Sequence, residues 1–304
     1  MKLVRLVGIA AVLGGCGGTA SPEGVDGAVA YDAAPDAATG CQPEFGRTFI
    51  NDTVVLLPEN EGHDLDGDGQ PDNAVGVFAD LFNAGLVDGI VSGQVTALWD
   101  FLGLAPPGEP SPDLRLVFYD GLDADVPPDP SNNVGGAGRF LVSVQQFDLA
   151  CRSLSEWDSA LLEGQVATAH TRRWSFVAPS VGTVEMQDVS LVVTFNEDFS
   201  GFTAEAWGVW AACALALTGF PGSARGTLLD LLVSGFQRGP DIDVDGDGLE
   251  LISGDGMTVT QCVDGNGVVI TGRDCACDSR IVDGYSFALR GTAVPAAIVG
   301  VAAE

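Results

Sequence analysis

Apolar and polar residues alternate with a period of two through much of this chain, and that alternation constrains its fold more than any other feature. It runs through Leu114 to Tyr119, Arg139 to Val144, Arg173 to Val177, Ser190 to Phe195 and Ser286 to Arg290. Segments of this kind suit strands with one face on a core, and Gly, Pro, Asn and Asp clusters separate them. Met257 to Cys262 and Val268 to Thr271 form a further pair, joined by Asp264-Gly265-Asn266-Gly267, which has the chemistry of a hairpin turn. Helical signals are fewer: Gly226 to Leu232 with Thr227 as cap, and Val75 to Leu81. Gln94 to Leu104 fits a helix through Val95, Leu98, Trp99 and Leu102, and a strand through Val95, Ala97, Trp99 and Phe101. Its strand neighbours favour the strand. The expected fold is mainly β: an antiparallel β-sandwich, jelly-roll-like, with a few short helices and two acidic loops.

The chain opens with Met1-Lys2-Leu3-Val4-Arg5, an apolar run and Leu13-Gly14-Gly15-Cys16. A basic start, a short apolar stretch and small residues before a cysteine read as an export signal, and the stretch is too short to span a bilayer. Leu13 to Cys16 resembles the lipobox of bacterial lipoproteins, which implies lipid attachment at Cys16 after removal of residues 1–15. Residues 16–40 are built from Gly, Ala, Ser, Pro and Asp, with Val25, Val29 and Tyr31 the only larger apolar side chains. Such a stretch buries too little surface to offset its ordering entropy, so it reads as a disordered tether. The β domain is expected over residues 41–304. Gly17 is not the Asp that retains enteric lipoproteins in the inner membrane, so the resemblance implies an outer-membrane anchor.

The 304 residues carry 42 Asp and Glu against 13 Lys and Arg, a net charge of −29, and beyond Lys2 every basic residue is Arg. A phosphate-binding surface needs clustered cations, which argues against nucleic acid as a partner and against adhesion to anionic lipid headgroups. Beyond Cys16, the cysteines are Cys41, Cys151, Cys213, Cys262, Cys275 and Cys277. An even number in an exported chain argues for disulfides, with a local bridge between Cys262 and the Cys275/Cys277 pair the first expectation. A zinc site using those three thiolates is the rival, but His63 and His170 are both remote in sequence.

The densest chemistry lies in Asp64-Leu65-Asp66-Gly67-Asp68-Gly69-Gln70-Pro71-Asp72. Carboxylates at loop positions 1, 3 and 5 (Asp64, Asp66, Asp68), glycine at 6, a backbone carbonyl at 7 (Gln70) and Asp72 at 9 form the start of an oxygen cage for calcium. Position 12 is Val75, not the bidentate Glu of an EF-hand. Asp243-Val244-Asp245-Gly246-Asp247-Gly248-Leu249-Glu250 repeats the pattern, with Asp243, Asp245 and Asp247 as carboxylates and Leu249 at the carbonyl position. Position 9 there is Leu251, so closure must come from Glu250, Asp255 or elsewhere in the fold. Three carboxylates within five residues repel one another unless a cation neutralises them. The first loop resembles those of thrombospondin type 3 repeats over about ten residues, which implies calcium as the cofactor.

No nucleophile elbow, zinc-protease helix, P-loop or dinucleotide fingerprint is present in the sequence. His170 to Trp174 offers an Arg pair beside an aromatic face, although pairing with the abundant carboxylates accounts for it equally simply. Glu156 with Asp158, and Glu59 with Glu61, can be posed as acid/base pairs for glycoside hydrolysis, yet composition alone produces such pairs in so acidic a chain. Trp207 and Trp210 can be posed as a sugar-groove lining or as core. The reading that unites these features is a non-enzymatic cell-envelope lipoprotein, a calcium-stabilised binding or structural surface module. Its partners would be the membrane through the anchor and an envelope or extracellular glycan or protein. A calcium-dependent envelope hydrolase acting on carbohydrate is the alternative, and a purely architectural domain is the third. In overall look the chain is similar to uncharacterised envelope lipoproteins of deltaproteobacteria, a resemblance that implies no activity.

Overall fold

The computed structural model describes residues 42–178, 181–219 and 226–302. The export signal, Cys16, the tether and Cys41 lie outside the described residues. Twelve strands make up the domain: β1 (Arg47–Leu56), β2 (Ala97–Leu102), β3 (Arg115–Asp123), β4 (Gly138–Ser143), β5 (Ser159–Glu163), β6 (Val166–Ala178), β7 (Gly182–Phe195), β8 (Phe202–Ala211), β9 (Leu251–Gly254), β10 (Val259–Val263), β11 (Val269–Thr271) and β12 (Gly284–Ala302). The helices are α1 (Ala79–Val91), which follows a 3-10 turn at Ala74–Phe78, α2 (Ala212–Leu217) and a single turn, α3 (Leu228–Asp230). The fold is mainly β, antiparallel and sandwich-like.

Nine strands form one sheet in the order β1-β2-β3-β4-β12-β8-β7-β6-β5, and β12 also pairs with β1. That extra pairing curls the sheet into two rings. In the smaller ring, β12 is antiparallel to β1 from Leu289 to Pro295 and parallel to β4 from Ala296 onward. The ring β1-β2-β3-β4-β12 therefore closes around Ile50, Leu98, Leu102, Val117, Tyr119, Phe140 and Val142. In the larger ring, Trp157 donates its N–H to the Leu116 carbonyl and Phe118 donates to Ser155. The chain at 155–157 thus lies against β3 and leads into β5, which pairs with β6 on the sheet's far edge. The larger ring surrounds the main core, which includes Phe49, Trp99, Phe101, Phe118, Trp174, Leu191 and Phe287.

Strands β1, β2 and β3 form the wall between the two cores. All six residues of β2 are buried as a result. Ala97, Trp99 and Phe101 face the main core, while Leu98 and Leu102 face the smaller one. This explains the ambiguity of 94–104: Leu98 and Leu102 complete a helix-like pattern only because the strand is apolar on both sides. Asp100 is fully buried and accepts bonds from the Gly46 N–H and the Thr48 hydroxyl. Burial pushes its carboxyl above the usual range.

The expected hairpin is present as β10 and β11, antiparallel, with Asp264 accepting the Asn266 and Val268 N–H groups at the turn. Thr227 caps α3 in a reciprocal box: its hydroxyl accepts the Asp230 N–H and the Asp230 carboxylate accepts the Thr227 N–H. The segment Ala74–Val91 is long and apolar enough to cross a bilayer on composition, yet Phe78, Phe82, Leu86 and Ile90 sit in the main core. Both cores, with the side chains packed on them, draw only on residues between Phe45 and Val301, within the compact unit 36–304. Residues 36–304 thus contain both cores seen among the described residues.

Candidate metal centre

The two acidic loops adopt the same hydrogen-bonded form. In the first, Asp64 accepts the Gly67 N–H at 2.7 Å and the Gly69 N–H at 3.0 Å, one on each carboxylate oxygen. In the second, Asp243 accepts the Gly246 N–H at 2.7 Å and the Gly248 N–H at 3.0 Å in the same way. Asp66 accepts from the Asp68 N–H and Asp245 from the Asp247 N–H. The glycines at positions 4 and 6 have positive φ in both loops, 81° and 85° in the first and 78° and 108° in the second. A side chain there would be strained, so the Asp-Gly-Asp-Gly spacing is a backbone requirement as well as a supply of carboxylates.

What differs is the acid that closes each loop. In the first it is Asp72, at position 9, whose Oδ2 accepts the Leu65 N–H at 2.6 Å. The loop base is pinned by the Asp72 N–H on the His63 carbonyl, and a Cβ on Gly62 would overlap the Asp72 carbonyl oxygen. In the second, the equivalent bond runs from the Val244 N–H to Asp283, just before β12, at 2.9 Å. Its other oxygen accepts the Glu250 N–H at 2.8 Å. Glu250 in turn accepts the N–H groups of Val282 and Asp283, so two buried acids clamp the loop reciprocally.

The outcome is two groups of three carboxylates, Asp64/Asp66/Asp72 and Asp243/Asp245/Asp283, each offering oxygens within 4.8 Å of one another. Asp68 and Asp247, expected as position-5 ligands, belong to neither group. Asp68 accepts the Gln70 N–H instead, and Asp247 faces Asn266 in the β10–β11 turn at 3.5 Å. Gln70 and Leu249 are exposed on their loops. Asp255, offered as a closing acid, makes its own turn by accepting the Met257 and Thr258 N–H groups. Asp283 was missed because nothing local marks it: Asp283-Gly284 reads as one more turn, 40 residues from Asp243.

The charge distribution matches the geometry. Burial, and then repulsion from Asp243 and Asp245, raises the Asp283 carboxyl against the opposing pull of its two N–H donors. Burial raises Glu250 as well, and Asp283 and Asp245 add to the shift. Asp241, just before the second loop, is raised by burial and by the charge of Asp72 in the first. Asp241 accepts the N–H and hydroxyl of Ser286, whose oxygen accepts the Ala74 N–H at the exit of the first loop. Asn73 accepts the Ala288 N–H beside it. Both loops are thus anchored on the first turns of β12.

The cysteines contribute covalent ties near the second loop. Cys262–Cys275 joins β10 to a 3-10 turn, and Cys213–Cys277 joins α2 to the same turn. The three thiols considered for zinc are thereby used in disulfides, and Cys151 is also disulfide-bonded. The other sequence candidates are held in surface ion pairs or the core. Glu156 pairs with Arg115, Asp158 with Arg172, Glu59 with Arg238, and Glu61 with Arg290. His170 bonds Asp188 and Trp174 is core, as is Trp210. Trp207, on the outer face of β8, stacks on His63 with ring centroids 3.5 Å apart. No protein-family model, curated protein or solved structure matches this chain.

Proposed function

We propose that this protein is a calcium-stabilised binding or structural module of the bacterial cell envelope, carried on a lipid attached to Cys16. One observation carries the calcium half of the reading. Two loops far apart in sequence share one conformation, and each gathers three carboxylates within 4.8 Å. A carboxylate has about four lone-pair sites, so an oxygen that accepts a loop N–H still has capacity for a hard cation. Asp64, Asp66 and Asp72 would hold one ion and Asp243, Asp245 and Asp283 the other, with the Gln70 and Leu249 carbonyls as further oxygens. Bound calcium supplies the positive charge that offsets carboxylate repulsion and fixes both loops on β12. The disulfides suit an oxidising compartment outside the cytoplasm.

The test is thermal unfolding of residues 36–304, oxidised, in millimolar calcium and in chelator. Calcium is expected to raise the melting temperature, with part of the rise removed by Asp64→Asn with Asp66→Asn and part by Asp243→Asn with Asp245→Asn. An unchanged melting temperature at millimolar calcium would reduce both loops to turns.

A further inference from the structure

The main core is not filled. A cavity of about 280 Å3 lies inside the larger ring, walled by Trp99, Phe118, Trp174, Phe176, Leu191 and Leu289. Its origin is legible along β8, where the inward positions run Phe202, Ala204, Ala206, Gly208 and Trp210. Phe202 and Trp210 are large, Ala204 and Ala206 between them leave space, and Gly208 is closed off, since a Cβ there would meet the Gln187 carbonyl oxygen. Ala204 and Ala206 both line the space. An apolar cavity of about 150 Å3 already takes up benzene, so this one has room for about a dozen carbon atoms. The lining also includes Gln94, Asp120, Leu122 and Val177, all exposed, which mark a mouth between the end of β3 and β6.

A second observation concerns polarity. Trp174 lines the cavity, is buried, and its indole N–H has no hydrogen-bond partner. The neighbouring Trp157 indole N–H is buried without a partner as well, whereas Trp99 donates to Asn51. Both unpartnered nitrogens are sealed off from the open space, so the rings offer a ligand only their carbon faces. Anionic ligands are disfavoured: Asp120 stands at the mouth, Arg290 in the lining is already paired with Glu61 and Glu205, and the whole chain carries −29.

The geometry points to a binding site for a neutral, lipid-like molecule: one aliphatic chain of about ten carbons, with any small polar end left at the mouth. Exposed Leu122 and Val177 would cover the part of the chain that reaches the mouth. The site would give the binding module a ligand class, resting on that reading but not on the acidic loops.

The test titrates residues 36–304 with the neutral fluorophore N-phenyl-1-naphthylamine and displaces it with 1-decanol, decane or decanoate, in calcium and separately in chelator. Decanol is expected to displace the probe under both conditions and to perturb tryptophan emission, and decanoate to bind more weakly. Ala206→Leu fills the void and should weaken decanol about tenfold with the melting temperature held or raised. Failure of decanol to displace the probe overturns the proposal, as does undiminished binding to folded Ala206→Leu or decanoate binding as tightly as decanol. Binding that persists in chelator separates this site from the calcium reading, which stands or falls on the melting shift.

Discussion

Replacing Asp283 with Asn separates the two roles of that residue. In chelator, its carboxylate accepts two buried N–H bonds, from Val244 at 2.9 Å and Glu250 at 2.8 Å. Asn has one acceptor oxygen, so one charge-assisted bond is lost, a cost of about 2 kcal/mol. Against this, the substitution relieves repulsion from Asp243 and Asp245, whose oxygens lie within 4.8 Å. At about 1 kcal/mol per pair in a water-like medium, that relief is about 2 kcal/mol. The metal-free variant should therefore unfold within a few degrees of the parent. With calcium at about a hundred times its dissociation constant, each site adds about 2.7 kcal/mol, and a domain of this size shifts by about 2–4 °C per kcal/mol. The calcium-induced rise should then fall to about half in Asp283→Asn, the first loop supplying the remainder. Differential scanning calorimetry of both proteins in both buffers measures this. A variant that keeps the full rise would falsify the assignment of Asp283 to the ion. One that loses many degrees in chelator would show that its hydrogen bonds outweigh the repulsion.

Asp230 should govern acid stability. It caps α3, accepts the buried Val259 N–H of β10 and pairs with Arg273 at 3.2 Å. Burial pushes its carboxyl up, but these donors outweigh burial and leave it below the usual range. Its contribution is then complete above about pH 4 and lost as pH falls through the folded-state value. Asp230→Ala should cost about 3 kcal/mol at neutral pH by urea unfolding and flatten the acid limb; an unchanged acid limb would assign that limb to other groups. The two disulfides should differ in worth through loop length, because Cys213–Cys277 spans 64 residues and Cys262–Cys275 spans 13. Paired Ser substitutions should cost about 4 kcal/mol for the first and about 3 for the second, and the reverse order would point to native-state effects.

Most of the strands could be read from residues because one of their faces meets a polar surroundings. In β4, β6 and β7 the alternation survives, β3 keeps it only at its start because both its faces are buried from Leu116 to Tyr119, and β10–β11 adds an Asp-Gly-Asn-Gly turn. Strand β1 escaped because a bulge between Asn51 and Thr53 breaks its period. β8 escaped because its inward positions are Ala and Gly, which carry little hydrophobic signal. Five of the six carboxylates in the two groups were visible, since Asp-Gly spacing is local. Asp283 was not, because only the closing of the sheet brings it to Asp243. The fused rings were hidden for the same reason: a strand buried on both sides loses its alternation.

The placement of β12 has a consequence for how the molecule comes into being. Its 19 residues pair with β1, β4 and β8, so one strand is the seam of both rings, and the acid before it completes the second loop. Thr53 and Thr292 meet although 239 residues separate them. Until β12 is available, neither ring can shut and the second group of carboxylates stays incomplete. Closure of both rings therefore waits on one strand, the slow arrival expected when pairings reach so far along a chain.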